Sequence, residues 1–302
     1  MRLSALRRSP AALAGALIVA SVTFLAALTI EYGGVSAGDP GARPRSLLAR
    51  HLLAYGPHDE DLSVGSPPAP ASARHWLGTD VQRRDLLSRV LHGAGVSLRI
   101  GLSAEAIALS LGLAIGGVAA LRGGWVDALL MRAADLMLAL PLPILAMAAI
   151  AVFDTRSVTL VFVVLGLMGW AGIARLVRTQ CLAARFQGYP EAARALGAGQ
   201  GRLLAWHLLP AALAPALVAA SMGVAANILT EAWLSFLGLG LQGQAVSWGT
   251  MIADAQPELA IRPRLCLAPG AALAVTVLGF VLLADGLRDL LDPRARLATH
   301  AT

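Results

Sequence analysis

The sequence predicts an all-α membrane protein, with about six transmembrane helices and a polar helical segment between the fourth and fifth. Three observations carry that expectation. Of the 302 residues, 57% are hydrophobic and only 14% are charged, a balance too apolar for an ordinary soluble domain. The apolar residues gather in runs of about 20, the length at which a helix spans a bilayer. One hydrophilic stretch, FQGYPEAARALGAGQGRLLAWHLLP from Phe186 to Pro210, breaks the pattern and cannot itself be a span.

Charge and rare residues narrow the function. The formal net charge is +6, yet the arginines stand at the ends of apolar runs without interleaved aromatics, so they read as topology signals and no nucleic-acid partner is expected. The chain has no lysine and therefore no phosphate-binding P-loop of the usual kind, which removes ATP hydrolysis by that device. His51, His58, His75, His92, His207 and His300 show no metal-ligand spacing and no adjacent acid-base partner. No metal, cofactor or catalytic group is expected. Cys181 and Cys266 are too few for a disulfide framework and fall on opposite faces of the predicted topology.

In chain order, Arg2, Arg7 and Arg8 precede an apolar run from Ala11 to Ile30. The run exceeds a secretory h-region, although Val35-Ser36-Ala37 could pass as a cleavage site, and it reads as an uncleaved first span with its amino end inside. Residues 1–30 form this unit. Residues 31–96 read as an extracytoplasmic loop rich in Pro and Gly. Its Gly34-Val35-Ser36-Ala37-Gly38 matches a hydrolase elbow but lacks the leading strand. After Thr79 and Asp80, Leu86, Leu87, Val90 and Leu91 share one face opposite Arg83, Arg84 and Arg89, which predicts a separate interfacial helix.

Residues 97–291 form the core. The second span, Leu98 to Leu121, carries Gly101, Gly112, Gly116 and Gly117 for close helix packing, and the ionisable Glu105. A turn at Arg122 to Asp127 leads to a third span, Ala128 to Phe153, kinked at Pro141 and Pro143, with Arg132 and Asp135 expected to pair with each other or with headgroups. The fourth span, from Val158 to Leu176, ends among Arg175, Arg178 and Arg185, which puts residues 186–210 in the cytoplasm. There, Pro190 and Glu191 suit a helix start, Gly197, Gly199 and Gly201 allow a turn, and Pro210 closes the segment. The fifth span, Ala211 to Phe236, holds Asn227 and Glu231 one turn apart. Glu105, Pro141, Pro143, Asn227 and Glu231 are candidates for a pathway or gate, with helix-to-helix packing the alternative reading of each. Gly238-x-Gly240-x-x-Gly243 follows no strand and is set aside. A short outer helix near Gly249 to Pro257 precedes a sixth span, Leu267 to Leu287. Residues 292–302 form a cytoplasmic tail, so both termini are expected inside.

Glu191, Ala192, Ala193, Gly197, Leu208, Leu209 and Pro210 resemble the cytoplasmic coupling loop of permease subunits in binding-protein-dependent ABC importers. HWLGTD (His75 to Asp80), GGWVDALLMRAAD (Gly123 to Asp135), EAWLSFLGLG (Glu231 to Gly240), SWG (Ser247 to Gly249) and DGLRDLLDPR (Asp285 to Arg294) resemble its dipeptide, oligopeptide and nickel branch. The resemblance implies a MetI-like permease fold in a bacterial inner membrane. It also implies four kinds of partner: a second homologous permease, two ATP-binding cassette subunits, a solute-binding protein and the lipid bilayer. Coupling to the ATPase then falls to Glu191, Ala192, Ala193, Gly197, Leu209 and Pro210, with Ala193 packing in the docking groove. Two positions depart from the pattern: Arg83 stands where Gly usually precedes Arg-Asp, and Ala211 where Asn often follows Leu-Pro. The expected function is passage of di- or oligopeptides driven by separate ATPase subunits. The alternatives are an importer permease for nickel or another small solute, an ion-driven secondary transporter, and a membrane scaffold.

Overall fold

The structure, a computed structural model, describes residues 10–30, 55–153, 157–241 and 245–291. The Val35-Ser36-Ala37 site, the Gly34 to Gly38 match, Gly243, the terminal arginines and the 292–302 tail lie outside the described residues. Among these described residues ten α-helices follow in order: α1 (Pro10–Ile30), α2 (Leu86–Arg122), α3 (Gly124–Ala139), α4 (Leu142–Phe153), α5 (Val158–Arg185), α6 (Gly188–Ala195), α7 (Gln200–Leu203), α8 (Leu209–Phe236), α9 (Trp248–Ala255) and α10 (Arg264–Leu291). Among the described residues the only β pairing is two isolated bridges, Glu60 with Arg84 and Thr79 with Asp85. Helices α1, α2, α5, α10 and the stretch Gln200–Phe236 are each long and apolar enough to cross a membrane, and α3 with α4 makes a sixth if the bent pair is one span. The expected all-α architecture of about six spans is therefore present.

Three expectations about where helices start and stop are corrected. Among the described residues no separate interfacial helix precedes the second span. Instead α2 runs unbroken for 37 residues, roughly 55 Å at the α-helical rise. Asp85 caps it, accepting from the Ser88 amide at 2.7 Å. Gly93 and Gly95, which could have broken the helix, are contact points: their bare backbones lie against Trp248 and Thr29. The third span is more than kinked, because α3 and α4 meet at 89°. Leu140 is extended (φ −101°, ψ 136°), as a residue before proline must be, so α3 stops there and Pro141 starts a new direction. Finally, Pro210 does not close the polar segment. Residues Leu204–Leu208 form a π-turn and the chain continues from α7 into α8. Proline lacks an N–H and crowds the carbonyl four residues back, and the widened turn makes room for it, with the Leu209 amide donating to the Leu204 carbonyl.

Packing explains the glycines of α2. Its longest interface is with α5, where a Cβ on Gly112 would fall 2.5 Å from Ile173 Cγ2 and one on Gly116 would strike the Ala174 carbonyl. Helices in lipid gain little from burying apolar surface and depend on such close approach. Helix α3 is then stitched to α5 by ion pairs, Asp127 with Arg178 and Asp135 with Arg175. Asp135 thus pairs across helices, and the expected Arg132–Asp135 pair is replaced. Cys181 and Cys266 are both free thiols.

Residues 55–85 fold against the α9 end of the bundle, where Arg264 donates to the Pro68 and Ala69 carbonyls at 3.2 and 2.6 Å. His75, read from sequence as lacking an acid-base partner, is buried between two: its Nδ1 lies 2.8 Å from Asp85 and its Nε2 3.2 Å from Asp61. Those carboxylates are 10 and 14 residues away along the chain, which is why spacing did not reveal them. The Ser63 hydroxyl and amide, and after them His75, hold the Asp61 carboxyl down at about 2. Arg83 has φ 62°, the left-handed conformation that the family's usual glycine supplies without strain. An L side chain there costs roughly 1–2 kcal/mol. The turn is held by the Arg83 amide on the Asp80 carbonyl and the Asp61 amide on the Arg83 carbonyl.

Gly116→Val should lower the stability of the bundle by about 1–3 kcal/mol through overpacking against α5, seen as an earlier thermal midpoint in detergent. Gly172→Ala, where an added Cβ meets nothing within 4 Å, should leave the midpoint unchanged or raise it. Equal midpoints for the two variants would contradict the close-contact account of α2 and α5.

Candidate functional site

The polar segment is built from two short helices on the arginine-rich end of α5 and α8. Gly188 opens α6 and Pro190 lies in its first turn, where no intrahelical donor is lost. Glu191 follows at the positive end of the dipole. The helix ends at Leu196, and Gly197 takes φ 86°. The Gly197 amide then reaches the Arg194 carbonyl and the Ala198 amide the Ala193 carbonyl, both at 3.0 Å. This is the glycine-closed helix end that sequence reasoning expected at Gly197. Helix α7 starts three residues later and leads through the π-turn into α8. The Tyr189 hydroxyl donates to the His207 carbonyl at 3.2 Å, clamping α6 to the π-turn.

The candidate coupling residues divide. Glu191, Ala192 and Gly197 are exposed, whereas Ala193 is half-buried and packs on the bundle's own apolar cluster of α2, α5 and α8 residues. Leu209 also faces inward, with its Cδ2 3.2 Å from where a Cβ on Gly117 would stand, while Pro210 is exposed. The residues that sequence reasoning missed are Phe186, Leu196 and Trp206, which are 82, 89 and 76% exposed. Their exposure sets them apart from Leu203 and Leu208 of the same segment, which are buried. The signal was present as apolar letters in a hydrophilic stretch, but the residue type alone does not tell whether such a side chain turns inward.

The candidate pathway residues also divide. Asn227 on α8 donates to Glu105 on α2 at 3.0 Å, and both are buried. The carboxylate fits because Gly223 has no side chain: a Cβ there would collide with it. Glu231 shares a helix face with Asn227 but serves other partners. Its Oε1 accepts from Ser235 at 2.9 Å and from Ser247 at 2.7 Å. Pro141 and Pro143 stand at the α3–α4 break, on a separate element. Beyond Glu231, the end of α8, the start of α2 and helix α9 surround a cavity of about 410 Å³ lined by His58, Arg84, Arg89, Ser235, Thr250 and Asp254 among others. Arg89 is buried in its wall, reaching the Pro57 carbonyl at 3.3 Å, Asp254 at 3.4 Å and Asp80 at 3.5 Å.

Glu105→Gln retains an acceptor for Asn227 and should fold as the parent does. Glu105→Leu strands the Asn227 amide among apolar residues and should cost about 1–3 kcal/mol, read as a lower detergent melting point, with Asn227→Leu added to Glu105→Leu recovering part of the loss. If the double variant is no more stable than Glu105→Leu, the pair does not hold α2 to α8.

With this geometry in hand, comparison with known proteins is specific. Residues 112–297 match the family described as binding-protein-dependent transport system inner membrane component. The chain is 40% identical over 244 residues to the probable D,D-dipeptide transport system permease protein of Escherichia coli (strain K12), covering 81% of each chain. It is 39% identical over 248 residues to a putative peptide permease protein of Brucella suis biovar 1 (strain 1330), again covering 81% of each. It is 38% identical over 227 residues to the oligopeptide transport system permease protein of Bacillus subtilis (strain 168), covering 75% of this chain and 74% of that one. The family match takes in the α2–α5 contact, the polar segment, α8 and α9, and the chain belongs to the inner-membrane permease components of binding-protein-dependent ABC importers.

Proposed function

We propose that this chain is one of two permease subunits of an ABC importer that carries di- or oligopeptides inward. Two separate ATP-binding cassette subunits supply the energy, and a solute-binding protein delivers cargo on the other face. The observation that carries the reading is the exposed apolar set Phe186, Leu196 and Trp206 along the polar segment, of which Trp206 stands on the helical path that continues into α8. A docked ATPase covers these side chains, and its closure on nucleotide pushes the base of a helix that spans the bilayer. In this reading residues 186–210 and both chain ends are cytoplasmic, and residues 31–96 are extracytoplasmic. The exposed Leu136, Leu140 and Ile144 around the α3–α4 break suit the second permease. Glu191, Ala192, Gly197 and Pro210 form the docking face, and Ala193 and Leu209 hold it to the bundle. Peptide cargo is supported by what the relatives are called, and the inward- and outward-facing states must differ in affinity for nucleotide and for the loaded binding protein.

A cysteine at Gln200, in a background with Cys181 and Cys266 replaced by Ala, is expected to react with a membrane-impermeant thiol reagent in inside-out vesicles and to be protected when the ATPase subunits are present. Labelling from outside intact cells would overturn the proposed orientation and, with it, the importer reading. Gly197→Val forces an L side chain into the left-handed region at a cost of roughly 1–2 kcal/mol. The expected outcome is a complex that still inserts and hydrolyses ATP but takes up less peptide per ATP, and wild-type stoichiometry would remove Gly197 from the lever.

A further inference from the structure

Glu231 has no role yet that explains its position. It is fully buried on α8, Ser247 and Ser97 are fully buried beside it, and Ser235 lies one turn further on. Ser247 is the N-cap of α9. Its hydroxyl accepts the Thr250 amide at 3.1 Å and donates its own proton to Glu231 at 2.7 Å, so the carboxylate faces the positive end of α9 through one shared hydroxyl. The Ser97 hydroxyl of α2 stands beside the same carboxylate. By strict geometry Glu231 Oε2 receives no hydrogen bond.

The backbones here are in direct contact. A Cβ on Gly249 would fall 2.5 Å from Ala232 Cα, and one on Gly240 would collide with Ser235. No flexible side chain therefore separates the start of α9 from α8. On its other side α9 is held to α2 by Trp248, whose indole N–H donates to the Val90 carbonyl at 2.9 Å and whose amide reaches Ser97 at 3.3 Å. The first turn of α9 is thus gripped by two long helices at once, to α8 through a carboxylate and to α2 through an indole.

We infer that Glu231 is a positioning residue for transport: through Ser247 it makes α9 follow the outer end of α8, with Trp248 as the pivot on α2. The cavity beyond it is walled by the two moving parts, Ser235, Phe236, Gly238 and Gly240 of the α8 end and Thr250, Ala253 and Asp254 of α9. Because Gln200–Phe236 is one continuous helical path, a displacement of its Gln200 end, just past the Gly197 turn, reaches this cavity without crossing a further loop. This role rests on the importer reading above and assigns the outer end of its stroke.

The test uses the whole importer, with its ATPase and binding protein, in proteoliposomes. Ser247→Ala removes the tie to Glu231 together with the cap on the Thr250 amide, whereas Thr250→Val keeps the tie and removes the capping bond from the Ser247 amide at 2.9 Å and the Thr250 hydroxyl's bond to the Ser247 carbonyl at 3.0 Å. Peptide uptake per ATP hydrolysed should fall about tenfold in Ser247→Ala, the scale of one lost hydrogen bond to a charged group, and change less than about twofold in Thr250→Val. Equal losses in both variants would reduce Ser247 to a helix cap and overturn the inference. In the otherwise native complex, Ala253→Cys with Cys181 and Cys266 replaced by Ala should react with an impermeant thiol reagent at different rates in the nucleotide-free and nucleotide-trapped states. An unchanged rate means that α9 does not move, and also overturns the inference. A parent complex that takes up peptide without hydrolysing ATP would instead sink the importer reading itself, which separates the two failures.

Discussion

The contact between α2 and α5 at Gly112 and Gly116 is the constraint on which the rest of the molecule depends. Within a bilayer apolar surface does not drive helices together, so a stable pair must gain from close packing. Once α2 and α5 approach at backbone distance, their arginine-rich ends are fixed relative to each other. Arg178 meets Asp127, and Arg185 reaches the Ala120 carbonyl at 3.3 Å. The segment leaving α5 then starts from a defined point, and its exposed apolar side chains are presented on a rigid support.

Polar groups inside the bundle follow one rule. Glu105 and Glu231 each meet a donor from outside their own helix, and for Glu105 the bare backbone of Gly223 makes room. Asn227 answers Glu105 over the bare backbone of Gly223, and Ser235 and Ser247 answer Glu231 beside the bare backbones of Gly240 and Gly249. Stranding such a group in an apolar surround is expensive, so the donors specify which helix faces which. Helix α8 carries partners in both sets and is the element through which the two ends of the molecule are joined.

Where a residue's own preference opposes the path of the chain, the backbone keeps the geometry. Arg83 adopts the left-handed conformation that glycine would supply, held by hydrogen bonds from residues 61 and 80. Pro210, which reads as a stop, is absorbed by a π-turn instead. In both cases a local preference, roughly 1–2 kcal/mol for Arg83 and about 3 kcal/mol for a proline in a helical path, yields to surroundings that gain more from continuity.

The helical, membrane-spanning class was legible from apolar run lengths alone, because the spacing of about 20 residues reflects the thickness of a bilayer and needs no knowledge of neighbours. The hydrophilic segment and the glycine turn at Gly197 were legible for the same reason, since hydropathy and backbone freedom are local properties. Partnership was not. That Asp135 pairs with Arg175 and not Arg132, that Glu105 meets Asn227, that Ala193 turns inward while Leu196 turns outward, and that His75 lies between two aspartates all depend on residues far apart in the chain arriving at one place. Apolar run length is enough to mark the stretches that enter the membrane. Which polar groups meet there is settled by helix packing in three dimensions, which no run length records.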